Sequence, residues 1–222
     1  MIIEEKIIKS KKRVRENAEV FTQLREVRNI LALTQATDNI FWKFLEPACG
    51  NGNFLVEIVR QRLERIKTNP NYRPADKLEF AIIKTLSTIY GIDIASDNIT
   101  ECKKRILDIV FEFTPKKNSK AFLVAVNSIL DTNIILGDNL NGKDKIFFVD
   151  YGFPTKPYLS KTKIKREIYR LVDMEKGVNK PIDTLPLSDP ADLKPIKFEK
   201  YITEKEEPKK QIGLFNTETE TV

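Results

Sequence analysis

The chain has 222 residues, 41% hydrophobic and 32% charged, which is enough for one packed domain with polar extensions. It contains no histidine and two cysteines, Cys49 and Cys102, without metal-ligand spacing; this excludes histidine-ligated zinc, Ser-His-Asp triads and histidine general bases, and no metal site is expected. The net charge of +6 and a pI near 9.1 suit a polyanionic partner, and without an apolar run of membrane length or a signal peptide at Met1-Ile-Ile-Glu-Glu, a reducing, cytoplasmic setting is expected.

Residues 1–15 carry Lys9, Lys11, Lys12, Arg13 and Arg15 and read as a basic N-terminal arm. Leu24, Val27, Ile30, Leu31 and Leu33 predict a helix within 22–36. A first strand is expected over Phe41–Glu46. Phe54, Ile58, Val59, Leu63 and Ile66 then predict a helix from Asn53 to Ile66, broken by Pro70 and Pro74. A helix over 76–89 leads into a buried strand, Ile89–Asp93, and Ser96 opens a helix to about Phe113. A further helix covers 119–130. Strands are expected at 133–138 and 145–150, and a helix at 161–174. Residues 176–222, rich in Pro, Lys, Glu and Thr, read as a flexible charged tail, within which Ile196–Tyr201 alternates as an edge strand does. The domain proper is therefore expected over 16–175. Its alternating strands and helices predict an α/β fold with a mainly parallel sheet, shortened after the fourth strand.

Chemistry concentrates in Phe44-Leu-Glu-Pro-Ala-Cys-Gly-Asn-Gly-Asn-Phe54, a strand, a glycine turn and a helix start. Such a turn lets backbone approach a nucleotide-like ligand at a helix N-terminus. Two glycines, Gly50 and Gly52, replace the three of a dinucleotide turn, and the strand ends in an acid, Glu46. Asp93 ends the second predicted strand and Asp138 the third. An acid beside the turn repels pyrophosphate and attracts an ammonium group.

These residues resemble the motifs of S-adenosylmethionine (SAM) dependent methyltransferases, most closely the amino-methylating DNA methyltransferases of bacterial or phage restriction–modification systems. The resemblance implies a Rossmann-like fold, SAM as cofactor and the exocyclic amino group of DNA adenine as target. It assigns Glu46 to the methionine ammonium, Asp93 to both ribose hydroxyls, Asp138 to the adenine amino group and Ile94 to the adenine face. It also brings Pro47, Ala48, Gly50, Gly52, Asn53, Phe54 and Asn139 to the pocket. Upstream, Arg13–Thr22 resembles the segment that precedes this motif in the family, so Phe21 and Thr22 would line the pocket, although Gln23 stands where proline is usual.

Val149-Asp-Tyr-Gly-Phe-Pro154 occupies the place of the family's Asp/Asn/Ser-Pro-Pro-aromatic motif. By that likeness Asp150 would accept from the target amino group and Tyr151 or Phe153 would stack on a flipped base. The double proline is absent and little chain follows the fourth strand. A second reading therefore stands beside the enzyme: a catalytically inactive SAM- or DNA-binding subunit, with another chain completing the fold. Methylation of RNA or a small molecule is a third. Lys156, Lys161, Lys163, Lys165 and Arg166 would give a basic face for DNA. Finally, Gln211-Ile-Gly-Leu-Phe215 resembles the peptide by which bacterial proteins bind the replication sliding clamp.

Overall fold

A computed structural model of the protein describes residues 10, 22–34, 37–114, 117–154 and 157–202. Helix α1 (Leu24–Thr34) buries Val27 and Leu31, one turn apart, against α2. Strand β1 (Phe44–Glu46) is followed by α2 (Asn53–Thr68), α3 (Ala75–Leu86), β2 (Ile89–Asp93), α4 (Ser96–Phe113), α5 (Lys120–Asn133) and β3 (Ile134–Leu136). These three strands form one parallel sheet in the order β1-β2-β3, with Phe44 opposite Ile89 and Gly91 opposite Ile134. The chain is α/β.

The sheet's central strand explains its packing. Ile89, Gly91 and Asp93 alternate with Tyr90 and Ile92. Gly91 lets α2 close onto the sheet, since a Cβ there would stand 2.7 Å from Leu55 Cδ1. Leu55, Ile58, Val59, Leu63 and Ile66 form the buried stripe of α2. On the opposite face Tyr90 meets Phe148 edge-on at 5.5 Å, and Ile92 packs with Ile146 and Leu171.

Phe148 belongs to a second sheet, antiparallel, built from β4 (Phe147–Gly152), β5 (Ile164–Arg170) and β6 (Asp183–Ser188), with the short α6 (Leu171–Glu175) following β5. The expected fourth strand therefore exists but does not join the parallel sheet. Its direction is fixed by three contacts. Ile146, at its start, packs on Ile92 near the end of β2; Val149 O accepts from the Tyr90 hydroxyl at 2.7 Å; and the Tyr151 hydroxyl donates to Asn133 Oδ1 at 3.1 Å, just before β3 begins. Strand β4 thus runs opposite to β2 and β3.

Two further expectations are corrected. Residues 161–174 hold β5 and only one turn of helix. Ile164 and Ile168 are four residues apart, a spacing that puts both on one side of a helix or of a strand; burial of Arg166 between them decides for the strand. The expected tail is structured as far as residue 202. Phe198 stacks on Phe147 at 5.5 Å, Leu193 is buried, the Ile196 N–H donates to Thr132 Oγ1, and Arg166 Nη1 donates to Lys194 O at 2.9 Å. Isolated apolar residues in a polar segment find niches, Leu193 against α5 and Phe198 on β4 of the second sheet. Residues 199–201 form a 3₁₀ turn in place of the expected strand. The N-terminal arm, apart from Ser10, and the Gln211–Phe215 peptide lie outside the described residues. Among the described residues no helix is long and apolar enough to cross a membrane.

Candidate functional site

The turn after β1 is shaped by its glycines. Gly50 has φ of 52° and Gly52 of 89°, the left-handed region that side chains disfavour. Gly52 also lies so close to α4 that a Cβ would collide with the Cys102 sulfur. Past it, α2 begins without a side-chain cap, so the N–H groups of its first turn remain available to a ligand. Arg105 braces the turn from behind, donating through Nη1 to Asn51 O at 2.8 Å and Asn53 Oδ1 at 2.7 Å. Asn53 in turn donates to Thr22 O at 2.8 Å, which ties the segment before α1 to the rim.

Asp93 joins the ends of all three parallel strands. Its Oδ2 accepts from the Gly50 N–H at 2.9 Å, and its Oδ1 accepts from Ala95 N–H at 2.9 Å and Asn98 Nδ2 at 3.2 Å. Its backbone carbonyl accepts from Gly137 N–H at 2.9 Å, and Ile92 O accepts from Cys49 N–H at 2.8 Å. A carboxylate offers about four acceptor positions. Three are engaged by donors among the described residues, which leaves Asp93 room for a further donor.

Between these strand ends lies a cavity of about 680 Å³. That size suits a nucleoside-sized ligand. It is lined by Thr22, Glu46, Pro47, Ala48, Gly50, Asn53, Phe54, Asp93, Ile94, Asp138 and Asn139, all anticipated from sequence. Gly52 stands behind the wall rather than in it, and Phe21 falls outside the described residues. Sequence reasoning missed Cys49, Asn51, Ala95, Asn98, Gly137, Leu140 and Asn141. Asn141 was the most accessible of these, three residues after Asp138 in a local turn.

The cavity's electrostatics are one-sided. Glu46, Asp93 and Asp138 line it, and no lysine or arginine does among the described residues. Burial holds the Glu46 carboxyl above the ordinary carboxylate range, outweighing its bond from the Ala48 backbone. Asp138 sits below that range because the Asn141 backbone, the Asn141 side chain and the Leu140 backbone all donate to it, at 3.0, 2.9 and 2.9 Å. Such a site repels phosphate and attracts a ligand carrying positive charge.

The residues expected to catalyse are elsewhere. Asp150 is paired with Lys43 Nζ at 2.7 Å, Tyr151 is buried against Asn133, and Phe153 meets Phe80 edge-on at 5.7 Å; none lines the cavity. The cause is the direction of β4, which carries residues 150–153 away from the ends of β1, β2 and β3. The expected basic face is also altered. Lys161, Lys163 and Lys165 are exposed, but Arg166 is buried, Lys165 pairs with Glu167 at 2.7 Å, and Lys156 lies outside the described residues.

No protein-family model matches the chain, and no curated protein or solved structure matches it significantly.

Proposed function

We propose that the protein binds SAM in the carboxylate-lined cavity and serves DNA amino-methylation. One observation carries this reading: the glycine turn, the uncapped start of α2 and three carboxylates share one cavity, with no basic side chain among its described walls. SAM bears a sulfonium and an ammonium, which the carboxylates attract, and one carboxylate, which the first turn of α2 suits. Glu46 would take the ammonium, Asp93 one ribose hydroxyl, and Asp138 the adenine amino group, with Ile94 against the ring. When bound, SAM supplies an electrophilic methyl group. The chain's own contribution is to orient it and to hold charge opposite the sulfonium. DNA as partner is supported by the net charge of +6 and the exposed Lys161 and Lys163. The Gln211–Phe215 peptide adds a sliding clamp as a proposed second partner.

A specific observation favours the reading in which this chain is a SAM-binding subunit rather than a self-sufficient transferase. The acceptor and aromatic groups expected of a catalytic motif, Asp150, Tyr151 and Phe153, do not reach the cavity. In this reading the groups that hold the target base come from another chain. Calorimetry with SAM on the wild type and Asp93→Ala tests the core of the proposal. Micromolar binding lost in the variant is expected, and absence of binding by the wild type overturns it. Methyl transfer to adenine-containing DNA by the isolated protein would overturn the subunit reading while leaving SAM binding intact.

A further inference from the structure

A second cavity, about 350 Å³, shares no lining residue with the first. It lies where the second sheet approaches β1, bordered by Lys43–Leu45, Tyr90, Phe148–Asp150, Tyr169, Met174 and Asn179. Three aromatic side chains meet there. Phe148 and Tyr169 are cross-strand partners on β4 and β5, and Tyr90 touches Phe148 edge-on. Asp150 projects from the same face of β4 as Phe148, two residues on. Its partner Lys43 is 59% exposed and Asp150 38% exposed, so their ion pair is weak and exchangeable.

The backbone of β1 completes the set. Strand β1 is the end strand of its sheet, and no described strand pairs with its outer edge. Phe44 N–H donates to Thr88 O, toward β2. Backbone groups alternate along a strand, so the N–H and C=O of Leu45 point to the open edge, and Leu45 also lines the cavity. A donor and an acceptor from one residue, aromatic faces beside them and a carboxylate at the rim recognise a flat ring that carries a ring nitrogen next to an amino group. The volume admits one such ring system and not a dinucleotide.

We infer that this cavity binds a nucleobase-class heteroaromatic, its edge hydrogen-bonded to the Leu45 backbone and its amino group displacing Lys43 from Asp150. The inference does not depend on what occupies the carboxylate cavity.

The test is an amide-resolved NMR titration of the full chain with adenosine, read at Leu45, together with the fluorescence of Trp42, the sole tryptophan and a neighbour of Lys43. A saturable Leu45 shift is expected, retained in Asp93→Asn, which separates it from any binding of adenosine in the carboxylate cavity. Tyr169→Ala should weaken it about tenfold. Lys43→Met should strengthen it severalfold by freeing Asp150, a gain that a merely structural role for Lys43 does not produce. A single-stranded oligodeoxyadenylate distinguishes the sources: tenfold tighter binding than adenosine identifies a base presented by DNA, and equal affinity a free nucleoside. No saturable Leu45 shift at millimolar adenosine, or a shift indifferent to Tyr169→Ala, overturns the inference. So does a Leu45 shift given only by an extended peptide, which would make the edge a strand-addition site.

Discussion

Replacing Gly52 with alanine forces a side chain into left-handed backbone and against Cys102 of α4. The backbone penalty is about 1–2 kcal/mol, and the forced repacking roughly 1–3 kcal/mol. A chain of this size loses about 2–4 °C of Tm per kcal/mol, so Gly52→Ala should lower Tm by on the order of 10 °C. The two parts can be separated. Cys102→Ala removes the obstructing sulfur but not the φ of 89°. In a double-mutant cycle followed by circular dichroism, Cys102→Ala should therefore restore roughly 1–3 kcal/mol to the Gly52→Ala background, beyond the sum of the single effects. A Gly52→Ala protein melting within about 2 °C of wild type, by the same scale, would refute the reasoning. Strict additivity of the two substitutions would refute the steric half of it.

Glu46 titrates above its ordinary value of 4.5 in the folded protein. Protonation therefore favours the fold: this contribution is complete below pH 4.5 and is lost as pH rises through the elevated folded value. Glu46→Gln should accordingly raise Tm at pH 7 and leave it unchanged in acid, while SAM affinity, which uses the ionised form, should fall with acidification in wild type only; parallel melting and calorimetry at several pH values check both. Tyr151→Phe leaves Asn133 Oδ1 buried without its donor and should cost about 1–3 kcal/mol in denaturant unfolding, with SAM binding unaltered; loss of binding at unchanged stability would return Tyr151 to the site. Asp93→Asn places an amide where three N–H donors converge and should weaken SAM at least tenfold in calorimetry, through lost charge-assisted hydrogen bonds. Leu214→Ala with Phe215→Ala should abolish capture by an immobilised bacterial sliding clamp, and retention by the doubly substituted chain would dismiss that partner.

The residues of the carboxylate cavity were legible because each is fixed locally. A glycine turn after a buried strand, and an acid closing each of the next two strands, constrain position through neighbours a few residues away. The second sheet was not legible in the same way. Ile164 and Ile168 satisfy helical and strand spacing alike, and only the burial of Arg166, settled by contacts with Ser188 and Lys194, selects the strand. The direction of β4 depends on Tyr90 reaching Val149 O, a contact 59 residues apart in sequence. That long-range choice carried Asp150, Tyr151 and Phe153 away from the cavity, and no local pattern signalled it. Likewise Leu193 and Phe198 lie in a segment of disordered composition, and it is the niches offered by α5 and β4 that order them.

The hydrogen bond from Gly50 to Asp93 spans 43 residues. It forms only after the chain has closed the β1–β2 crossover, and the neighbouring bond from Gly137 N–H to Asp93 O only after the β2–β3 crossover, parallel connections that are costly in loop entropy and slow to assemble. The cavity thus requires all three parallel strands to be in place, and opening either crossover removes it. A ligand held there acts as a clasp on the whole topology, and its release should be felt in the rate of global unfolding, not only in the motion of one loop.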